Sequence, residues 1–179
     1  MIDYFDTNII FFSMRLGEEP ELREFYENLR QTLKENKIPF KFLDHTLDYW
    51  MRDYMPLQLN PDIFIHYYYY PDYLFKKAED RGYITNPVKL EQALGLYEKD
   101  LRILPLILDG GNLIPTPGHL IMTDKIYKEN RLDPELINQL IRKTTGLEPL
   151  IIKSNLKEEK YGHTDWVVRY IGGHPILLS

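Results

Sequence analysis

Three short polar motifs recur along this chain at nearly equal spacing, and each is framed by the same order of elements. The motifs are Trp50-Met51-Arg52-Asp53, Asp109-Gly110-Gly111-Asn112 and Gly162-His163-Thr164-Asp165. Asp53 to Asp109 is 56 positions and Asp109 to His163 is 54. A period near ~50 residues is the mark of a repeat architecture, such as a propeller or ring. The alternative is a plain α/β sandwich whose order coincides with a repeat.

Hydrophobic periodicity supplies the framing elements. Residues 8–14 are a short run of branched and aromatic side chains, the pattern of a buried strand. Residues 18–36 read as a helix, with Leu22, Phe25, Tyr26, Leu29 and Leu33 at helical spacing. A second helix is predicted over 87–100. A third is bounded by Asp133 as cap, Pro134 at its first turn and Gly146 at its end. Strands are predicted at 40–43, 55–59, 62–69, 102–108, 113–114, 119–123, 150–153, 166–171 and 176–178. The unit is thus helix, strand, polar motif, strand, strand, with units over roughly residues 7–70, 71–123 and 124–179. Three such units would leave strand edges unpaired, a liability that proteins normally cover. The expectation is that further units follow, or that a partner chain, a second copy included, closes the ring.

Composition narrows the function classes. The 179 residues hold 22 Lys+Arg against 27 Asp+Glu, for a net charge of −5. A nucleic-acid binder carries the opposite sign, clustered on one face, so no nucleic-acid partner is expected. The balance favours neutral or cationic small partners. No run reaches the ~18 apolar residues of a membrane helix, and the first apolar run lacks the basic flank of a secretory signal. No membrane partner is expected, and a cytoplasmic location is the default. The chain contains no cysteine, which excludes disulfides, thiolate metal sites and a cysteine nucleophile within it.

Each motif has a plain reading and a chemical one. Trp50 and Asp53 could hold a flat cation, since a carboxylate accepts paired N–H bonds and an aromatic face adds cation–π attraction. The plain reading is a core Trp beside a surface Arg-Asp pair. Asp109–Asn112 follows an apolar run and reads first as a hairpin turn; its glycines would also let backbone approach a ligand. His163 and Asp165, read as strand residues two apart, would face one way and could serve one site as proton carrier and cation holder, or as metal ligands together with Asp53. The run from His66 to Tyr73 reads as a strand ending in a Tyr-rich loop over a site mouth. His45 and His119 have no partner visible in the sequence.

Together the motifs carry a resemblance. WMRDYMP, then LDGGNLI, then GHTDWVVRY, with TDKIYKENR after the second, is similar to the agmatine deiminase and bacterial-type peptidylarginine deiminase family of the guanidino-group modifying superfamily. That resemblance implies an α/β propeller of five units, the pentein fold, of which this chain would hold about three. It implies a hydrolase in which a cysteine thiolate attacks the guanidinium carbon, two carboxylates hold the guanidinium nitrogens, and a His protonates the leaving amine and then activates water. Matched motif by motif, Asp53 and Asp165 would be the clamp and His163 the general acid/base. Trp50 would wall the pocket, Arg52 would sit beside the clamp, and Asp109, Gly110, Gly111 and Asn112 would shape its floor. No metal or cofactor is implied, and the substrate would be a small guanidinium compound: agmatine, as in putrescine biosynthesis, arginine or peptidylarginine. The departure is the nucleophile. The chain has no cysteine, and no Ser or Thr stands in a context that replaces it. Two expectations follow: this is the amino-terminal, truncated part of a longer enzyme, inactive alone; or it is a non-catalytic guanidinium-binding or scaffolding protein.

Overall fold

The computed structural model describes residues 7–154, 160–171 and 174–178. In chain order it runs β1 (Ile10–Ser13), α1 (Arg15–Glu18), α2 (Arg23–Glu35), β2 (Phe40–Leu43), α3 (Met51–Tyr54), β3 (Leu57–Gln58), β4 (Ile63–Tyr68), α4 (Pro87–Ala93), β5 (Asp100–Ile107), β6 (Ile114–Thr116), β7 (His119–Thr123), α5 (Lys125–Asn130), α6 (Pro134–Thr145), β8 (Glu148–Ile152), β9 (Val168–Ile171) and β10 (His174–Leu178). Short 3-10 turns cover Asp72–Phe75, Gly110–Asn112 and Thr164–Trp166.

The strands form four small sheets that share one plan. β3 pairs antiparallel with β4, which pairs parallel with β5. β6, β7 and β8 repeat that arrangement. In both, a helix lies between the two parallel strands: α4 in the first sheet and α6 in the second. β1 and β2 are the parallel pair of the same plan, joined through α2. β9 and β10 are its antiparallel hairpin. The mixed α/β class is as expected. The sheets, however, cut the pattern at a different point from the sequence units. Each gathers the two strands after one motif and the strand before the next. Among the described residues no sheet closes on another.

Local chemistry explains most boundaries. In α6 Asp133 accepts from the N–H groups of Glu135 and Leu136, Pro134 opens the first turn, and Gly146 ends the helix at φ 74°. Those are the cap, N1 and C′ roles those residues are suited to. Ile137 and Ile141 on one face of α6 pack into the main core with Ile65, Leu104, Leu106, Leu108, Leu120 and Met122. Truncating one such side chain to Ala costs about 2–5 kcal/mol. A second, smaller core joins Leu43, Met51, Tyr54, Tyr69 and Leu90, and so fixes α3 against the end of β2. In the two three-stranded sheets the strand prolines, Pro105, Pro115 and Pro149, lie on outer strands, β5, β6 and β8. The β4–β5 register shifts between Tyr67 and Tyr68, opposite Pro105; a proline is tolerated in a strand where its missing N–H faces away from the neighbouring strand. Among the described residues no helix is long and apolar enough to cross a membrane.

Two local expectations are corrected. Asp109–Asn112 is not a hairpin turn: it is a 3-10 turn that carries the chain from one sheet to the next. Residues 163–165 are not in a strand: His163 is extended and Thr164–Trp166 is a 3-10 turn.

Candidate functional site

Each motif follows the last strand of a parallel pair: β2, β5 and β8. The plan therefore brings all three to equivalent places, at the carboxyl ends of parallel strands, where α/β folds gather ligand-binding residues. Asp53 comes from α3, which Met51 and Tyr54 anchor in the smaller core. Tyr67 on β4 reaches under it, its hydroxyl 3.1 Å from Asp53 O and 2.7 Å from Met55 O.

The second motif works mainly through its backbone. The Gly111 N–H donates to Asp53 Oδ1 at 2.9 Å. A Cβ on Gly111 would lie 2.6 Å from Asp53 Oδ1 and 2.7 Å from His163 Nδ1; one on Gly110 would lie 1.9 Å from Arg52 O. Only glycine allows that approach. Asn112 is fully buried. Its Oδ1 accepts from the Thr123 N–H at 2.9 Å and the Thr164 hydroxyl at 2.7 Å, while the Thr123 hydroxyl donates to Gly162 O at 2.6 Å. Asn112 thereby ties the third motif to β7.

His163 sits between two carboxylates. Its Nε2 is 3.1 Å from Asp109 Oδ2 and its Nδ1 is 3.7 Å from Asp53 Oδ1. Asp109 Oδ2 also pairs with Lys125 Nζ. Asp165 lies beside them, its Oδ2 3.3 Å from Arg52 Nε. Arg52 Nη2 donates to Leu113 O at 2.6 Å. The Tyr73 hydroxyl donates to Asp53 Oδ2 at 3.3 Å. Tyr73 and Tyr161 flank the imidazole.

These residues open on a cavity of about 540 Å³ whose walls include Trp50, Arg52, Asp53, His163, Asp165 and Trp166. Trp50 and Trp166 are 63% and 62% exposed and stand at its open side. Asp109, Gly110, Gly111 and Asn112 lie beneath it, buried.

The electrostatics follow from burial. Asp53 is pushed up to about 6, first by desolvation and also by the Asp109 and Asp165 charges, against the pull of His163 and the Gly111 N–H. Asp109 is buried too, but its hydrogen bond from His163 and the Lys125 charge hold it below the usual carboxylate range. Burial opposes charge on His163, yet the Asp109 hydrogen bond and the two carboxylates outweigh it and raise its proton affinity. Glu129 is buried beside Lys125 and pushed up to about 7 by desolvation.

The structure thus brings Trp50, Arg52, Asp53, His163 and Asp165 to one cavity, with Asp109 behind the imidazole and Asn112 inside the fold. Tyr73, at the end of the run read as a Tyr-rich loop over a site mouth, lines the cavity; sequence reasoning missed Lys125, Glu129, Tyr161 and Trp166. The Lys125/Glu129 spacing, i and i+4 after the apolar run of β7, was the available signal. Among the described residues no group of three His, Asp or Glu side chains is arranged to hold a metal ion.

No family model matches this sequence, and no curated protein sequence matches it. Solved structures do. One, provisionally named a peptidyl-arginine deiminase, superposes with a TM-score of 0.70 at 17% identity, over 99% of this chain and 64% of that one. The second is a cysteine-to-serine variant of an agmatine deiminase from C. jejuni with substrate bound. It superposes at 0.64 with 15% identity, over 94% of this chain and 60% of that one. DDAH from Pseudomonas aeruginosa, as a cysteine-to-serine variant complexed with citrulline, gives 0.60 at 14% identity over 95% and 68%. This chain shares their fold. The chain spans less than two thirds of the length of the first two.

Proposed function

We propose that this chain carries the guanidinium-binding and proton-transfer part of a hydrolase that converts a guanidinium compound to a ureido product and ammonia. One observation carries the reading: a buried imidazole held between two carboxylates, next to a third carboxylate and an exposed Trp, on one cavity.

The proposed steps follow from the groups present. Above about pH 6 Asp53 is ionised and accepts N–H bonds from a planar cation, with Asp165 beside it. Asp165 already faces a guanidinium in this structure, its Oδ2 3.3 Å from Arg52 Nε. Trp50 covers one face of the ligand. His163 holds one proton on Nε2 toward Asp109 and offers a second from Nδ1, on the Asp53 side. That second proton goes to the departing nitrogen as the C–N bond breaks and ammonia leaves. The neutral Nδ1 then takes a proton from the water whose oxygen bonds to the same carbon. In the mechanism implied by the resemblance, a thiolate bonds to that carbon before the C–N bond breaks, and the C–S bond breaks again, releasing the thiolate, once the water oxygen has bonded. These 179 residues contain no cysteine, so the thiolate of that route would come from outside them. The same fact favours a second reading, a guanidinium-binding protein without turnover.

Calorimetric titration of the chain with agmatine, arginine and an arginine-containing peptide tests the binding, with butylamine as a cation lacking the planar group. Binding of a guanidinium compound, weakened at least ~10-fold by Asp53→Asn and by Asp165→Asn, is the expected result. Affinity indifferent to both substitutions, or equal for butylamine, overturns it. Ammonia release then separates turnover from binding alone.

A further inference from the structure

Behind His163 lies a chain of buried charges that the proposed steps leave unused. Asp109 Oδ2 is shared by two partners, His163 Nε2 at 3.1 Å and Lys125 Nζ. Lys125 is itself buried, with 9% of its side chain exposed. Its ammonium also lies 3.2 Å from Glu129 Oε1 and 3.7 Å from Asp72 Oδ1, and 5.5 Å from the centre of the Tyr73 ring. α5 presents Lys125 and Glu129 one turn apart, and Ile126, fully buried in the main core, fixes the helix that carries them.

We infer that Lys125 is a positioning residue for His163, holding Asp109 as the ionised acceptor of Nε2 and moderating the imidazole's hold on its proton. This rests on the reading of His163 as the proton carrier. The argument is one of charge balance. An imidazole facing two carboxylates and no nearby cation keeps its proton far above neutral pH, and a proton held that firmly is a poor one to give away. Asp53 faces His163 from α3 and Asp109 from the turn after β5; Tyr73 and Tyr161 flank the ring. Asp165 lies on its own turn, paired with Arg52. Behind Asp109 the ammonium of Lys125 is the balancing charge, and Glu129 and Asp72 draw part of it away. Burial disfavours charge on Lys125, but the carboxylates around it hold it protonated. A fixed ammonium on the shared oxygen also keeps Asp109 from taking the Nε2 proton, so the proton that moves is on Nδ1.

The test is a proton–carbon NMR titration of the histidine ring signals in the full 179-residue chain, with His163 assigned by its loss in His163→Gln. Lys125→Met is expected to raise the His163 midpoint by about one pH unit. Lys125→Arg, which keeps the charge, should leave it in place. Glu129→Gln returns the full ammonium charge to Asp109 and should lower the midpoint by a few tenths of a unit, on the order expected for a charge one residue further out. If Lys125→Met fails to fold, the Glu129→Gln direction decides. Midpoints unmoved, or moved the same way in Lys125→Met and Glu129→Gln, overturn the inference. Titration of the unsubstituted chain with agmatine keeps the two ideas apart. Binding without these shifts removes only the role of Lys125; the shifts without binding of any guanidinium compound remove the proposed function.

Discussion

Replacing Asp53 by Asn removes a charge that the fold holds at a cost, and the cost can be worked out. Asp53 is raised from 3.8 to about 6, chiefly by burial. A group raised in the folded state contributes stability that is fully present below its unfolded value and is lost as pH rises through its folded value. The window is therefore about pH 4–6, and the whole effect is about 3 kcal/mol at 1.36 kcal/mol per unit. Asn keeps the shape and can still accept from the Gly111 N–H, but it does not titrate. The stability of Asp53→Asn relative to the unsubstituted chain should therefore rise by about 2 kcal/mol between pH 4.5 and 7.5. Glu129 titrates in both proteins and drops out of the difference. Urea unfolding at half-unit pH intervals measures this directly, provided the m-values agree. A difference that stays flat, or falls as pH rises, refutes the assignment of Asp53 as a buried carboxylate that is protonated in mild acid. It also refutes the expectation that guanidinium binding weakens below pH 6.

Three further outcomes follow from the floor of the site. Gly110→Ala puts its Cβ 1.9 Å from a backbone oxygen; it should cost about 3 kcal/mol and lower Tm by about 6–12 °C, seen in a thermal melt. Gly111→Ala meets side chains that can swing away, so the melt should change less, while guanidinium binding by calorimetry should fall at least ~10-fold as Asp53 and His163 separate. Asn112→Ala strands the buried Thr123 N–H and the Thr164 hydroxyl and should cost about 2–4 kcal/mol in urea unfolding, although Asn112 meets no solvent.

What was legible in the sequence is what local chemistry decides. Asp133, Pro134 and Gly146 bound α6 because cap, first-turn proline and left-handed glycine act over a few residues. Phe40–Leu43 and His119–Thr123 match the predicted strands to the residue, because their apolar runs end at polar positions. What was not legible depends on contacts far along the chain. Asp109–Asn112 has the composition of a hairpin turn, yet the strand after it joins another sheet; the constraint on its glycines comes from Arg52 and His163, 50 or more positions away. Residues 163–165 keep extended backbone only at His163, because Asn112 draws the Thr164 hydroxyl inward. α5 is six residues with one deeply buried apolar anchor, Ile126, too short for a periodicity to show. Lys125 would be read as solvated from its neighbours; its burial is decided by Asp109 and Asp72, which no local pattern connects to it.

The prolines on β5, β6 and β8 bear on how this chain behaves in a crowd. An outer strand with a full row of N–H groups is a template on which a second copy can extend the sheet, and extension repeated is a fibril. Pro105, Pro115 and Pro149 each remove one donor from such a row, and Pro105 also sits where the register slips. A strand arriving from another molecule would meet an interrupted ladder and gain little by staying. β5, β6 and β8 are thus poor seeds for aggregation, even though among the described residues neither three-stranded sheet is closed.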